Sequence, residues 1–128
     1  MTAQAPKAIN YSSGRRVLTL SFFGDGPVEL SAELLRVLSP SAEVRGHGPG
    51  QEVLQTGKKK VGITDIQPVG NYAVQLSFDD GHSSGLYTWA YLAQLAHNKD
   101  TLWTDYLTKL AQAGGSRDPD TNVVTIIG

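Results

Sequence analysis

Two segments, "LSFFGDG" at 20–26 and "LSFDDG" at 76–81, constrain the fold of this chain more than any other feature. Each closes an alternating run with an Asp-Gly pair. Each is followed by a second short run, a hydroxyl residue and helix-forming sequence. In "RRVLTLSF", Val17, Thr19 and Ser21 fall on one face and Leu18, Leu20 and Phe22 on the other, the period of a half-buried strand. Asp25-Gly26 supplies the turn, because glycine takes the positive φ that a tight hairpin demands. "VEL" is the return strand, and Ser31 is an N-cap for "AELLRVL", with Glu33 in the first turn where a carboxylate suits the helix dipole. The second copy runs "YAVQLSF", Asp80-Gly81, "SGLY" and then Thr88 as N-cap. A hairpin followed by a helix is a common pattern, so the echo alone does not establish a duplication. It does set the class: α+β, a mainly antiparallel sheet built from β-hairpins with two or three helices packed on it.

Pro40 ends the first helix and "RGHGPGQ" excludes regular structure, so residues 39–57 read as a long loop with one extended piece around Val44. Loops of this length inside a compact domain are more often functional than idle. Val61, Ile63 and Ile66 predict a strand within "KKKVGITDIQPVG". From Trp89 the period becomes helical: Trp89, Leu92, Ala93 and Ala96 share one face, with a break near Asn98. Asp100 or Thr101 restarts a second helix carrying Leu102, Trp103, Tyr106, Leu107 and Leu110, which stops at Gly114-Gly115. The apolar "NVVTIIG" reads as a last strand or a loose end. The expected organisation is a flexible N-terminus over 1–7, a single domain over 8–113 and a C-terminal tail over 114–128.

Composition narrows the function. At 128 residues and 40% hydrophobic, the chain has room for one core. Eleven basic residues against twelve acidic ones leave a formal charge of −1, which argues against a general nucleic-acid binder. There is no cysteine, which removes disulfides, thiolate zinc sites, cysteine-held iron–sulfur clusters and cysteine nucleophiles. No apolar run reaches the roughly 18 residues of a membrane span, and "MTAQAPKAIN" lacks the apolar stretch of a secretory signal. The expectation is a cytoplasmic protein, a monomer or weak homodimer, with no membrane contact.

The most enzyme-like stretch is Gly81-His82-Ser83-Ser84-Gly85, a literal match to the G-x-S-x-G nucleophile elbow. An elbow needs a strand entering the serine and a helix leaving it, whereas Ser83 is followed by a return strand. After Ser83 the only histidine is His97, with no Asp or Glu between them, so the hydrolase order fails and Ser83 reads as a turn serine. His82 is a weak metal candidate with His47 from another loop, since neither H-E-x-x-H nor a His-x-Asp pair is present. In "RGHGPG", the glycines let backbone N–H groups converge and Arg45 and His47 add positive charge, a candidate anion site beside the plainer reading of a turn-rich connector. Lys58, Lys59 and Lys60 read as a solvated edge that blocks sheet-to-sheet pairing. Tyr87, Trp89, Tyr91, Trp103 and Tyr106 read as core.

The stretches "LLRVLSPSAEVRGHGPGQ" and "IQPVGNYAVQLSFDDGHSSGLYTWAYLAQL" together resemble a small domain family of unknown function related to the N-terminal domain of gamma-butyrobetaine hydroxylase. The resemblance covers roughly residues 9–113. It implies a domain that stands alone in bacteria or is fused to modules such as iron–sulfur carrier ATPases, and hence a link to iron–sulfur or metal-handling proteins. It also implies a zinc position: the hydroxylase domain carries three cysteines after a Leu-Arg pair, and a distant histidine. Laid on this sequence, Leu35-Arg36 begins the motif, the cysteines fall on Ser39, Ser41 and Val44, and the histidine falls on His82. No cofactor is therefore expected, since three of the four ligands are replaced. The hydroxylase's oxygenase chemistry belongs to a separate domain, so no catalytic residue is carried over. The expected function is a non-enzymatic accessory or protein-interaction domain. Its unknown protein partner would meet a surface around Ser39, Ser41, Arg45, His47, Asp80 and His82. The alternative is a metal- or small-anion-binding domain using His82, His47 and Arg45.

Overall fold

The computed structural model describes residues 4–24 and 26–119. Its elements are β1 (Ala8–Ser12), β2 (Val17–Ser21), β3 (Val28–Ser31), α1 (Ala32–Val37), α2 (Ala42–Arg45), β4 (Ile63–Val69), β5 (Ala73–Phe78), β6 (Leu86–Thr88) and α3 (Trp89–Ala113). The strands form two antiparallel three-stranded sheets, β1-β2-β3 and β4-β5-β6, which with the three helices make an α+β fold.

The echo between 20–26 and 76–81 is a structural repeat. Each unit is three consecutive strands running into a helix, and the two match in register. Leu18 faces Leu30 and Val17 faces Ser31 in the first sheet; Val74 faces Tyr87 and Ala73 faces Thr88 in the second. The last strand residue caps the helix in both: Leu34 N–H donates to Ser31 Oγ at 3.0 Å, and Tyr91 N–H to Thr88 Oγ1 at 3.1 Å. Even the first helical N–H has the same destination, the carbonyl just before the central strand. Ala32 N donates to Arg16 O at 2.9 Å, and Trp89 N to Tyr72 O at 3.1 Å. A cap of this kind is worth about 1 kcal/mol, and it joins each strand to its helix with no intervening loop.

The two units share one core. Leu18, Leu20, Leu30, Leu34 and Leu35 pack with Val74, Leu76, Phe78, Tyr87, Leu92 and Leu95 in a single cluster. A smaller cluster of Val37, Tyr106 and Leu110 lies beneath the far end of α3.

The structure adds one strand, corrects one expectation and bears out another. The segment Ala8–Ser12 is a strand, β1, paired along β2; Ile9 and Tyr11 are only partly buried, so its alternation is shallow. Around Val44 the chain is helical rather than extended: Ser41 caps α2, with Glu43 N–H donating to Ser41 Oγ at 3.2 Å. Asn98 leaves helical geometry at φ −112°, ψ 16°, where a break was expected. Its side chain donates to Gln94 O at 3.1 Å, however, and α3 continues through it as one kinked helix. The helical stretch beyond this kink, which carries Asp100 and Thr101, is the second helix that was expected, joined here to the first within α3.

α3 does end at Gly114, whose φ of 70° is the left-handed cap conformation that glycine adopts without strain. Beyond it, residues 116–117 run beside residues 57–59, with Gly57 N–H donating to Ser116 O at 2.9 Å and Lys59 N–H to Arg117 O at 3.0 Å. Arg117 forks onto the Glu33 carboxylate with two 2.8 Å bonds and lies 5.0 Å over the Trp103 ring. The expected turn residue Asp25 and the "NVVTIIG" segment lie outside the described residues.

Candidate functional site

Three segments meet where α1 stops. Pro40 cannot continue the helix, so the chain turns at Ser39 and re-enters helix at Ser41, and the β5–β6 loop, residues 79–85, closes over this corner. Ser39 Oγ lies 2.8 Å from His82 Nε2 and accepts from Ser41 N–H at 3.3 Å. Ser41 Oγ lies 2.8 Å from Ser84 Oγ, and the Ser84 hydroxyl donates to Glu43 Oε1 at 2.9 Å. Glu43 Oε2 lies 3.4 Å from His82 Nδ1. Ser39 is 0% exposed and His82 6%, so the Ser39–His82 contact is sealed inside the protein, while Glu43 and Ser84 lie at its surface. Gly85 makes the seal possible: a Cβ there would sit 2.4 Å from Ser39 Oγ.

A second layer supports the hairpin. Asp80 accepts from Arg36 Nε at 2.7 Å, from Lys58 Nζ at 2.6 Å and, through Oδ1, from His82 N–H at 3.1 Å. Burial pushes the Asp80 carboxyl up, but Lys58, the His82 amide and Arg36 outweigh it and hold the pKa down at about 2. Burial lowers the pKa of His82, the Arg36 charge lowers it further, and the Glu43 carboxylate opposes both. The Tyr87 hydroxyl, raised above its ordinary range by burial, donates to Leu35 O and so fastens β6 to α1. Arg36 Nη1 and His82 Nδ1 are buried without a hydrogen-bond partner among the described residues.

The expected site residues thus divide. Ser39, Ser41, Asp80 and His82 belong to one cluster, linked through Ser84, Glu43 and Arg36. Arg45 and His47 do not join it. Arg45 points to α3, with its guanidinium 5.7 Å over the Tyr91 ring and Nη1 3.4 Å from the Tyr91 hydroxyl. His47 is exposed. The "RGHGPG" segment folds on itself as a connector, with Gln51 N–H donating to Gly48 O at 3.1 Å. Gly46 is required there: its φ is 72°, and a Cβ would meet Gln51 O at 2.1 Å. Lys58 is the exception within its triplet, since its ammonium is bound to Asp80 while Lys59 and Lys60 stay exposed.

Sequence reasoning missed Glu43 and Ser84, and with them a contact order of chemical interest. Ser39, His82 and Glu43 follow one another as nucleophile, base and acid do in a hydrolase triad. A nucleophile needs an open face toward its carbonyl, and Ser39 has none. Ser83 offers its carbonyl to Gln75 Nε2 at 2.5 Å and sits in the loop as a turn residue. The residues do not fit a zinc ion either. A structural zinc site takes four N, S or O⁻ ligands, whereas the positions here hold two neutral hydroxyls, a valine and an imidazole whose Nε2 is already bonded to Ser39. Among the described residues no group of three or more His, Asp or Glu side chains is placed to hold a metal.

On the neighbouring face lies an open groove of about 610 Å³ between residues 37–55 and α3. Val44, Leu102 and Tyr106 contribute apolar surface to it, and Arg45, Lys109, Glu52 and Asp105 contribute charge of both signs. Val53, on the long loop, is 52% exposed beside it. The loop is held in place by Val53 N–H donating to Val44 O at 2.8 Å and by the Tyr106 hydroxyl donating to Gln55 O at 2.7 Å. Among the described residues no helix is long and apolar enough to cross a membrane.

Three solved structures are similar to this chain in sequence and fold. Two are solution structures: one is 55% identical, over 95% of this chain and 96% of that one, with a TM-score of 0.82. The other is 50% identical, over 91% and 86%, with a TM-score of 0.77. The third is a crystal structure of a DUF971-family protein of unknown function from Acidithiobacillus ferrooxidans. It is 36% identical over 71% of this chain and 91% of that one, with a TM-score of 0.60. No curated protein matches the chain. The model of the gamma-butyrobetaine hydroxylase-like N-terminal domain matches residues 9–93, the span that holds nearly all of both sheets, the start of α3 and the whole Ser39–His82 cluster, and the chain belongs to that family.

Proposed function

We propose that this chain is a cytoplasmic, non-enzymatic accessory domain that docks a protein partner along the groove between residues 37–55 and α3. The observation that carries the reading is the groove itself. It is open, it combines apolar surface with charges of both signs, and it is bordered by a long loop whose backbone is fixed by specific hydrogen bonds. That combination is the make-up of a protein-binding surface. Catalysis gains no comparable support, because the one nucleophile–base contact in the cluster is closed to any substrate. The resemblance to domains fused to iron–sulfur carriers points to a partner in metal handling. The donor set argues that the domain serves such a partner without holding a metal itself.

The test uses Val53→Asp, which alters an exposed side chain beside the groove and leaves the core alone. Wild-type chain as bait should recover a partner that the variant does not. The purified pair should then show at least about a tenfold loss of affinity, the 1.4 kcal/mol of a modest interface contact. Unchanged affinity for Val53→Asp and for Lys109→Glu would remove the groove from the interaction.

A further inference from the structure

We infer that the cluster of Ser39, Ser41, Glu43, His82 and Ser84 is a metal-free joint, in which hydrogen bonds and a His82–Glu43 contact tie together the segments to which the family resemblance assigns a zinc position. Each segment contributes. Ser39 and Ser41 come from the turn after α1, Glu43 from α2, and His82 and Ser84 from the β5–β6 loop. The contacts close a ring: Ser39 to His82 at 2.8 Å, His82 to Glu43 at 3.4 Å, Glu43 to Ser84 at 2.9 Å, Ser84 to Ser41 at 2.8 Å, and Ser41 N–H back to Ser39 Oγ at 3.3 Å. Direct side-chain contact leaves the centre of the ring to the protein's own atoms. Gly85 packs against it so closely that a single methyl would strike Ser39 Oγ.

The inference extends to the backbone that carries these side chains. Positions 41 and 44 are three apart at the start of α2 and share a face. Val44 is buried, 5% exposed, and Ser39 Oγ lies within 2.8 Å of the imidazole nitrogen that would complete the set. On this inference the joint differs from a metal site in its side chains and not in its frame. Restoring thiols at 39, 41 and 44 should convert it.

The experiment compares untagged wild type with the Ser39→Cys/Ser41→Cys/Val44→Cys variant, each titrated with zinc and with cobalt and melted with and without EDTA. Wild type should retain no stoichiometric zinc after dialysis, and its Tm should move with neither zinc nor EDTA. The variant should take up one zinc per chain, show the intense visible absorption of tetrahedral cobalt–thiolate, and lose Tm in EDTA. Adding His82→Ala to the variant should weaken zinc binding at least roughly tenfold. Wild type holding one zinc through His82 would overturn the inference. So would a variant folded by circular dichroism that takes up none. Should the variant fail to fold even with zinc, Ser39→Ala decides. The ring requires this change to shift the ¹⁵N resonance of His82 Nε2 and lower Tm, and constancy of both would refute it. None of these outcomes depends on a partner, so the groove stands or falls separately.

Discussion

Gly85 is the point at which the packing of the cluster can be tested most sharply. Gly85→Ala adds one carbon whose ideal position is 2.4 Å from Ser39 Oγ, 3.2 Å from Pro40 Cδ and 3.4 Å from Tyr87 Cε1. Two responses are open. If Ser39 keeps its rotamer, the loop must shift, and overpacking of this kind costs about 1–3 kcal/mol. If Ser39 rotates away, its 2.8 Å contact with His82 is lost. A buried nitrogen left unpaired then costs about 1–3 kcal/mol as well. Either route predicts a loss near 2 kcal/mol. For a domain of this size that is roughly 6–10 °C in Tm, measured by circular dichroism and checked by urea titration. A double-mutant cycle separates the causes. Ser39→Ala alone should cost about 1–3 kcal/mol, but once the hydroxyl is gone Gly85→Ala should add less than about 0.5 kcal/mol. A Gly85→Ala penalty that is equally large in both backgrounds would refute the reasoning, because Ser39 Oγ would not be what the methyl meets.

Other predictions follow the same contacts. His82 has a lowered pKa in the folded state, so its contribution is complete above the ordinary value near 6.5. Stability is then lost as pH falls, because the unfolded chain takes the proton first. His82→Asn should flatten the stability-versus-pH curve as pH falls below 6.5 in chemical denaturation. Asp80, held at about 2 against an ordinary 3.8, contributes stability that is present above pH 4 and lost as pH falls toward 2. Asp80→Asn should remove that acid limb and cost about 3 kcal/mol at pH 7, because Arg36 is left buried without its counter-charge. Ser31→Ala and Thr88→Ala should each cost about 1 kcal/mol, and closely matched losses in urea titration would show that the two repeat units depend equally on their caps.

Much of the fold was legible because its strongest local signals agree with its tertiary structure. β2 and β5 alternate cleanly, and Leu18, Leu20, Val74 and Leu76 are all buried. The hydroxyl residues Ser31 and Thr88 cap the helices that follow them. The signal failed where structure depends on distant partners. β1 is a strand because β2 offers it a ladder and because the Tyr11 hydroxyl oxygen accepts from Ile63 N–H at 2.9 Å. α2 is four residues long, too short for any periodicity, and only the Ser41 cap with Glu43 two residues on marked its start. In the cluster, Ser39 and His82 came to notice through a family likeness. Glu43, Ser84 and Gly85 had no motif to announce them, since their roles arise only when residues more than 40 positions apart meet. Arg45 and His47 looked joined to that cluster because they neighbour it along the chain, but Arg45 packs on Tyr91 of α3 and His47 is exposed.

The Arg117–Glu33 fork has a consequence for how the molecule is made. Glu33 is 6% exposed, and the guanidinium that neutralises it arrives 84 residues later, after the whole of α3. During synthesis, both repeat units and their shared core leave the ribosome while this carboxylate still lacks its cation. The span that defines the family, 9–93, is therefore shorter than the span that folds to completion. A chain cut after residue 113 should translate every element of both units yet remain sensitive to proteases, its first helix waiting for a charge that never comes.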